Sequence, residues 1–196
     1  MSARHPGART VLRAVFLVLT LAVCAAIFVF SGEDREKTTA HSAAFADNVA
    51  RQVVNGYEQM SEREKTAETN YIEKTIRKFG HAVEYMALGA FCALFFLTFS
   101  GETPTIRQKK KKRKSVPRGL LILFSFLFCI LYAISDEVHQ LFVPGRLGSA
   151  LDVVLDAAAA LTAILTVSGA VCVFLDASDG QTPGAEAAEK SPSFEN

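Results

Sequence analysis

Residues 119–135 read GLLILFSFLFCILYAIS, seventeen positions without a charge, and the next five, residues 136–140, read DEVHQ. At the helical rise of about 1.5 Å per residue, seventeen residues cover about 25 Å, close to the thickness of a bilayer's hydrocarbon core. Three other runs approach or meet this length: Val11–Phe30, interrupted only by Arg13, then Tyr85–Gly101 and Ala157–Leu175. Inside lipid every backbone amide has to be paired within its own segment, so runs this long and this separated are helices. The expected fold is an all-α membrane protein with four transmembrane helices.

Composition agrees, because half of the chain is hydrophobic and that half is gathered into blocks rather than spread with the period of a soluble domain. The first run follows Arg4, Arg9 and Arg13 and so has the flanks of a signal peptide. It is longer than a usual signal core, however, and no small-residue cleavage pattern closes it before Phe30, Ser31 and Gly32, so a retained anchor is expected. The four cysteines, Cys24, Cys92, Cys129 and Cys172, fall one to each apolar run, without a CxxC pair, and read as small buried hydrophobes rather than disulfide or zinc ligands.

The net charge of +1 conceals a division along the chain. Residues 107–118 contain Arg107, Lys109 to Lys112, Arg113, Lys114 and Arg118 and no acid. Such density between two spans marks the cytoplasmic side and reads as a topology signal rather than a nucleic-acid site. Two spans precede this loop and two follow it, so both termini are expected in the cytoplasm of a cell whose plasma membrane the chain crosses. Residues 31–79 and the connection from Asp136 to Gly148 then lie outside. The outer loop has eight Lys and Arg of its own, diluted over about fifty residues.

The expected organisation is a cytoplasmic N-terminus (1–10), a membrane domain (11–175) and a disordered cytoplasmic tail (176–196). Within the domain, residues 31–79 form the outer loop and residues 102–118 the basic inner one. The outer loop is expected to be helical, because Phe45, Val49 and Val53 recur at i+4, and Ile72, Ile76 and Phe79 at i+4 and i+3. Ser61 and Glu64 have the spacing of a capping box opening the second of these amphipathic helices. Both helices would lie on the outer leaflet or on the bundle.

Three polar groups stand at the outer ends of different spans. His81 shares a helix face with Glu84 and Tyr85. After the third span, Asp136, His139 and Gln140 share a face, while Glu137 should point elsewhere. Before the fourth come Arg146, Ser149, Asp152 and Asp156, the two aspartates one turn apart. Taken singly, His81, His139 and Arg146 have a plain explanation as interface residues, and Asp152 with Ser149 as a capping box. Glu84 and Asp156 resist it, since each lies about one turn inside its span, where a charge facing lipid costs roughly 2.5–3.5 kcal/mol. They should face the interior, and Ala159, Ala160 and Ala163 would let the fourth helix come close.

The stretch from Phe79 to Tyr85, together with Ser135-Asp136-Glu137-Val138-His139-Gln140, Pro144-Gly145-Arg146, Ser149, Asp152 and Asp156, resembles the VanZ-like family of bacterial membrane proteins over about residues 12–175. That family takes its name from a protein giving low-level resistance to the glycopeptide teicoplanin. The resemblance therefore implies a cell-envelope role, with a possible share in antibiotic resistance, rather than one reaction.

The leading expectation is a membrane protein whose outer cluster engages a membrane lipid or a lipid-linked cell-wall precursor. Phosphate would meet Arg146, and exchangeable protons would meet His139 and Asp136. The rival is an outer-leaflet hydrolase or transferase in which His81 or His139 is a general base oriented by Asp136 or Asp156. No Walker sequence, HExxH or zinc-type ligand spacing is present, so neither a cofactor nor a metal on His81, His139, Glu84 and Asp152 is expected. A small transporter would call for broken helices that the four spans do not show.

Overall fold

The computed structural model describes residues 6–32, 35–100, 116–144 and 148–179. These residues form five α-helices and no strand: α1 (Pro6–Ser31), α2 (Arg35–Val53), α3 (Glu62–Leu97), α4 (Arg118–Gln140) and α5 (Ala150–Asp179), with a short 3-10 turn at Tyr57–Gln59 before α3. Helices α1, α3, α4 and α5 are each long and apolar enough to cross a membrane. Their surface is inverted relative to a soluble protein. Val11, Leu21, Leu131, Leu151, Val154 and Val173 are exposed, while Thr20, Ser125, Asp136, Asp156 and Ser168 are buried. In lipid the outward face gains nothing from hiding Leu or Val, so small and polar side chains take the contacts between helices. The chain is a multi-pass membrane protein.

The core consists of Ile27, Tyr85, Leu88, Cys92, Ala93, Cys129, Ala133, Ala160 and Ile164, contributed by all four apolar helices. Its tightest crossing is between α3 and α5. A Cβ placed on Gly89 would run into the carbonyl oxygen of Ala160 and come within 2.9 Å of its Cα, so the two backbones touch where only glycine fits. The buried alanines Ala160 and Ala163 on α5 complete this contact. At the end where α3 stops, Arg13 of α1 donates to the Thr98 carbonyl at 3.2 Å and lies 4.3 Å over the Phe99 ring. Tyr132 of α4 donates to the Cys24 carbonyl of α1 at 2.5 Å. All four cysteines are free thiols.

One expectation about the loop between the first two spans changes. The segment around Ile72, Ile76 and Phe79 is not a separate helix. The capping box of Ser61 and Glu64 is present, with Ser61 N donating to Glu64 at 2.8 Å, but the helix it opens continues for 36 residues to Leu97. That is about 54 Å of helix, so the N-terminal part of α3 projects beyond any bilayer core. Nothing between Glu62 and Leu97 breaks it: Gly80 is the only small interruption before the span, and one glycine in a long helix costs only about 1 kcal/mol.

Of the apolar rows, Val49 and Ile72 are half-buried and the rest do not make the helix contact. Phe45, Val53, Ile76 and Phe79 are exposed, and Ala46, Ala50, Tyr57 and Glu73 are buried instead. Small alanines let α2 lie close to α3, and polar bonds do the rest. The Tyr57 hydroxyl donates to Asp47 Oδ1 at 2.7 Å and lies 2.8 Å from Thr69 Oγ1 of α3. Arg51 pairs with Asp47 at 2.8 Å and with Glu58. Arg77 pairs with Glu73 at 2.7 Å. The Tyr57 hydrogen bond, and after it the Arg51 guanidinium, hold the Asp47 carboxyl below its ordinary range.

Helix α5 extends to Asp179, past the point where a disordered tail was expected to begin. The rest of that tail, the basic loop and residues 1–5 lie outside the described residues.

Candidate functional site

Polar side chains collect at one end of the bundle, where α1 and α4 finish, α5 begins and α3 enters the apolar core. Helix α4 is the organiser, because its last turn presents consecutive residues to two neighbours. On the α1 side, Ser31 donates its hydroxyl to Asp136 Oδ2 at 3.0 Å, and Gln140, one turn on, donates to the same oxygen at 3.1 Å. The His139 ring stacks on Phe28 of α1 at 4.3 Å, with its Nε2 so close that a Cβ on Gly32 would stand 3.2 Å away. Asp136, His139 and Gln140 do share a face, as their spacing indicates.

Glu137 points away from that face, as its spacing indicates, but toward α5 rather than lipid. It is buried, and its carboxylate accepts the backbone N–H of Ser149, at the start of α5. The first amides of a helix have no partner inside it, so Glu137 caps α5 from outside and places a negative charge where the helix dipole favours one. The reciprocal box between Ser149 and Asp152 is accordingly replaced. Asp152 directs its carboxylate to Lys78 of α3 at 2.5 Å, an ion pair across 74 residues that fixes the start of α5 against α3.

On α3, His81 Nδ1 lies 3.8 Å from Glu84 Oε2, the i, i+3 relation that the sequence shows. Both are partly accessible, with side chains 16% and 25% exposed, so this pair forms the open edge of the cluster. Tyr85, next in the chain, is fully buried, and Asp156 on α5 is 6% exposed. Asp156 and Glu84 thus face inward to different extents. Asp136 lies within electrostatic reach of Glu84, Tyr85 and Asp156, and Asp152, Glu137 and Glu84 lie within reach of Asp156. Helices α3, α4 and α5 therefore bring Glu84, Tyr85, Asp136, Glu137, Asp152 and Asp156 into one neighbourhood. Arg146 lies outside the described residues.

Four buried atoms in this region have no hydrogen-bond partner among the described residues: the Tyr85 hydroxyl, Asp136 Oδ1, Glu84 Oε2 and His139 Nε2. Buried polar atoms in folded proteins are nearly always bonded, because an orphan forfeits roughly 1–3 kcal/mol. These four lie at the end of the bundle where the helices meet. Sequence reasoning missed Ser31 and Lys78 as members. Ser31 ends the first apolar run and could have been found as a polar residue at the depth of Asp136, while nothing local pairs Lys78 with Asp152.

An apolar cleft of about 240 Å³ adjoins the cluster between α4 and α5. Ile134, Val138, Leu141 and Val153 wall it, and Glu137 and Ser149 stand in its lining. Among the described residues no group of three or more His, Cys, Asp or Glu is placed to hold a metal ion.

No curated protein and no solved structure matches the chain. The VanZ/LLP1 family model matches residues 16–173, a stretch that contains every residue of the candidate cluster and most of each apolar helix, and the chain belongs to that family.

Proposed function

We propose that this protein binds the headgroup of a lipid or lipid-linked cell-wall precursor at the extracytoplasmic face of the plasma membrane, and that through this contact it contributes to tolerance of teicoplanin-type glycopeptides. The observation that carries the reading is the set of four orphaned buried atoms at Glu84, Tyr85, Asp136 and His139. Its position supports an outer location, because the cluster sits at the end of the bundle opposite the connection from α3 to α4, whose basic residues 107–114 favour the cytoplasm. The adjoining cleft supports an amphiphile. Ile134, Val138 and Leu141 are exposed on the face that lipid covers, so a hydrocarbon chain can lie between α4 and α5 while its polar end reaches Glu137 and the groups behind it. Arg146, in the connection between those helices, supplies a planar fork for phosphate.

The test is the lipid retained by the purified protein, identified by native mass spectrometry. Wild type should carry a stoichiometric lipid or precursor, and Arg146→Lys and Tyr85→Phe should carry less while their amount in the membrane is unchanged. Equal retention in all three proteins would contradict the reading.

A second reading, an outer-leaflet hydrolase or transferase, is favoured by the pairing of His81 with Glu84 at 3.8 Å, since a carboxylate beside an imidazole orients it and raises its basicity. It is distinguished by His81→Gln, which in an enzyme would abolish conversion of bound lipid and leave its retention intact.

A further inference from the structure

We infer that the group this site selects in its ligand is a primary ammonium, carried on a phosphate-linked amphiphile. The inference rests on the headgroup-binding reading above and adds to it the charge and shape of the group that enters.

Five carboxylates face this end of the bundle: Glu84, Asp136, Glu137, Asp152 and Asp156. Two are already engaged, Asp152 by the Lys78 ammonium and Glu137 by the Ser149 amide just before α5. His81 stands beside Glu84. Asp136 and Asp156 remain, at 4% and 6% exposure, and among the described residues no lysine or arginine pairs with either. Asp136 takes two neutral donors, Ser31 and Gln140, on one oxygen and leaves the other bare. Two carboxylates in a low-dielectric site stay ionised together only with a positive charge near them, which another dipole does not supply.

The Tyr85 hydroxyl is the independent observation that gives the site its shape. It is fully buried, has no partner among the described residues, and lies within electrostatic reach of both aspartates. An ammonium carries three N–H groups, matching in number the acceptors of this set: Asp136 Oδ1, the Asp156 carboxylate and the lone pairs of Tyr85. A trimethylated ammonium brings charge but no donor and more bulk, and a glycerol headgroup brings hydroxyls but no charge. Both should be rejected, for the reason that a buried site built to bond N–H discriminates strongly against analogues lacking it. Glu84, at the accessible edge, is the first carboxylate the ammonium meets.

Two sources offer this chemistry: an ethanolamine phospholipid, and the free amine on the peptide of a lipid-linked cell-wall precursor. The experiment is competitive retention on the full-length protein in nanodiscs, read by native mass spectrometry. The probes are phosphatidylethanolamine, its trimethylated counterpart, phosphatidylglycerol, and the lipid-linked precursor with its amine free or N-acetylated. Retention of phosphatidylethanolamine roughly tenfold or more above its trimethylated form and phosphatidylglycerol supports the inference and names a phospholipid. Retention of the free-amine precursor but not its acetylated form supports it and names the precursor. Lipid retained without regard to the amine overturns the inference and leaves the headgroup reading standing, whereas no retention of any probe overturns both. Tyr85→Phe and Asp136→Asn should each erase the preference. The acetylated and trimethylated probes keep the test decisive on unaltered protein should either variant fail to fold.

Discussion

Ser31 and Asp136, 105 residues apart, share a buried hydrogen bond of 3.0 Å that joins the end of the first span to the end of the third. The bond engages one oxygen of Asp136 and ties it to α1, while the other oxygen is buried without a hydrogen-bond partner among the described residues. Ser31→Ala should therefore destabilise the bundle modestly, by roughly 0.6–1.7 kcal/mol, the span measured for hydrogen bonds between membrane helices. Denaturant titration in mixed micelles would measure this, and a midpoint equal to wild type would show that the bond positions nothing.

A second expectation concerns the crossing of α3 and α5. Gly89→Ala drives a methyl group into the Ala160 backbone, which cannot rotate away, and should cost about 1–3 kcal/mol. Gly80→Ala, nine residues earlier in the same helix, meets nothing within 4 Å and should stabilise α3 by roughly 0.5–1 kcal/mol. The two variants compared in one unfolding assay test the packing directly, since equal effects would contradict it.

The projecting module should respond to acid. The Asp47 carboxyl is held below its ordinary value of 3.8 by the Tyr57 hydroxyl first and Arg51 second. A group whose pKa is lower folded than unfolded contributes stability that is complete above the unfolded value and lost as pH falls through the folded one. Docking of α2 on α3 should thus be constant from neutral pH to about 4 and loosen below it. In Tyr57→Phe the acid-dependent loss should be smaller and complete at a higher pH, because the folded value lies closer to the unfolded one. Amide hydrogen exchange along α2 is the measurement, and superimposable pH profiles for the two proteins would refute the assignment.

Much of this architecture is legible in the sequence. The four spans follow from length and the absence of charge, and the pairings of His81 with Glu84 and of Asp136 with Gln140 follow from helical spacing. What stayed hidden depends on contacts between helices. Glu137 lies about 100° around α4 from Asp136, and period alone turns it away from that face; the arrival of α5 on the other side makes both positions interior. Lys78 and Asp152 look like separate interface charges until α3 and α5 cross. The apolar row at Phe45, Ile76 and Phe79 is exposed, and the period alone does not show that alanine makes the closer helix contact there.

Orientation is open to direct labelling. In a chain stripped of Cys24, Cys92, Cys129 and Cys172, Met60→Cys should react with an impermeant maleimide added to intact cells, and Lys112→Cys should react only after lysis. The opposite pattern would move the polar cluster to the cytoplasmic face and remove its access to cell-wall precursors.

Whether the buried carboxylates work or merely brace the bundle is decided by one comparison, the Asp136→Asn, Asp156→Asn double variant against wild type and a deletion strain. Asparagine keeps volume and hydrogen bonding and removes the charge, so the protein should accumulate in the membrane at its normal amount. Sensitivity to teicoplanin and to other envelope-directed drugs should then match the deletion strain, as required of a site that depends on those charges. Normal accumulation together with wild-type sensitivity, in a background where the deletion itself is sensitive, would contradict a functional site at Asp136 and Asp156.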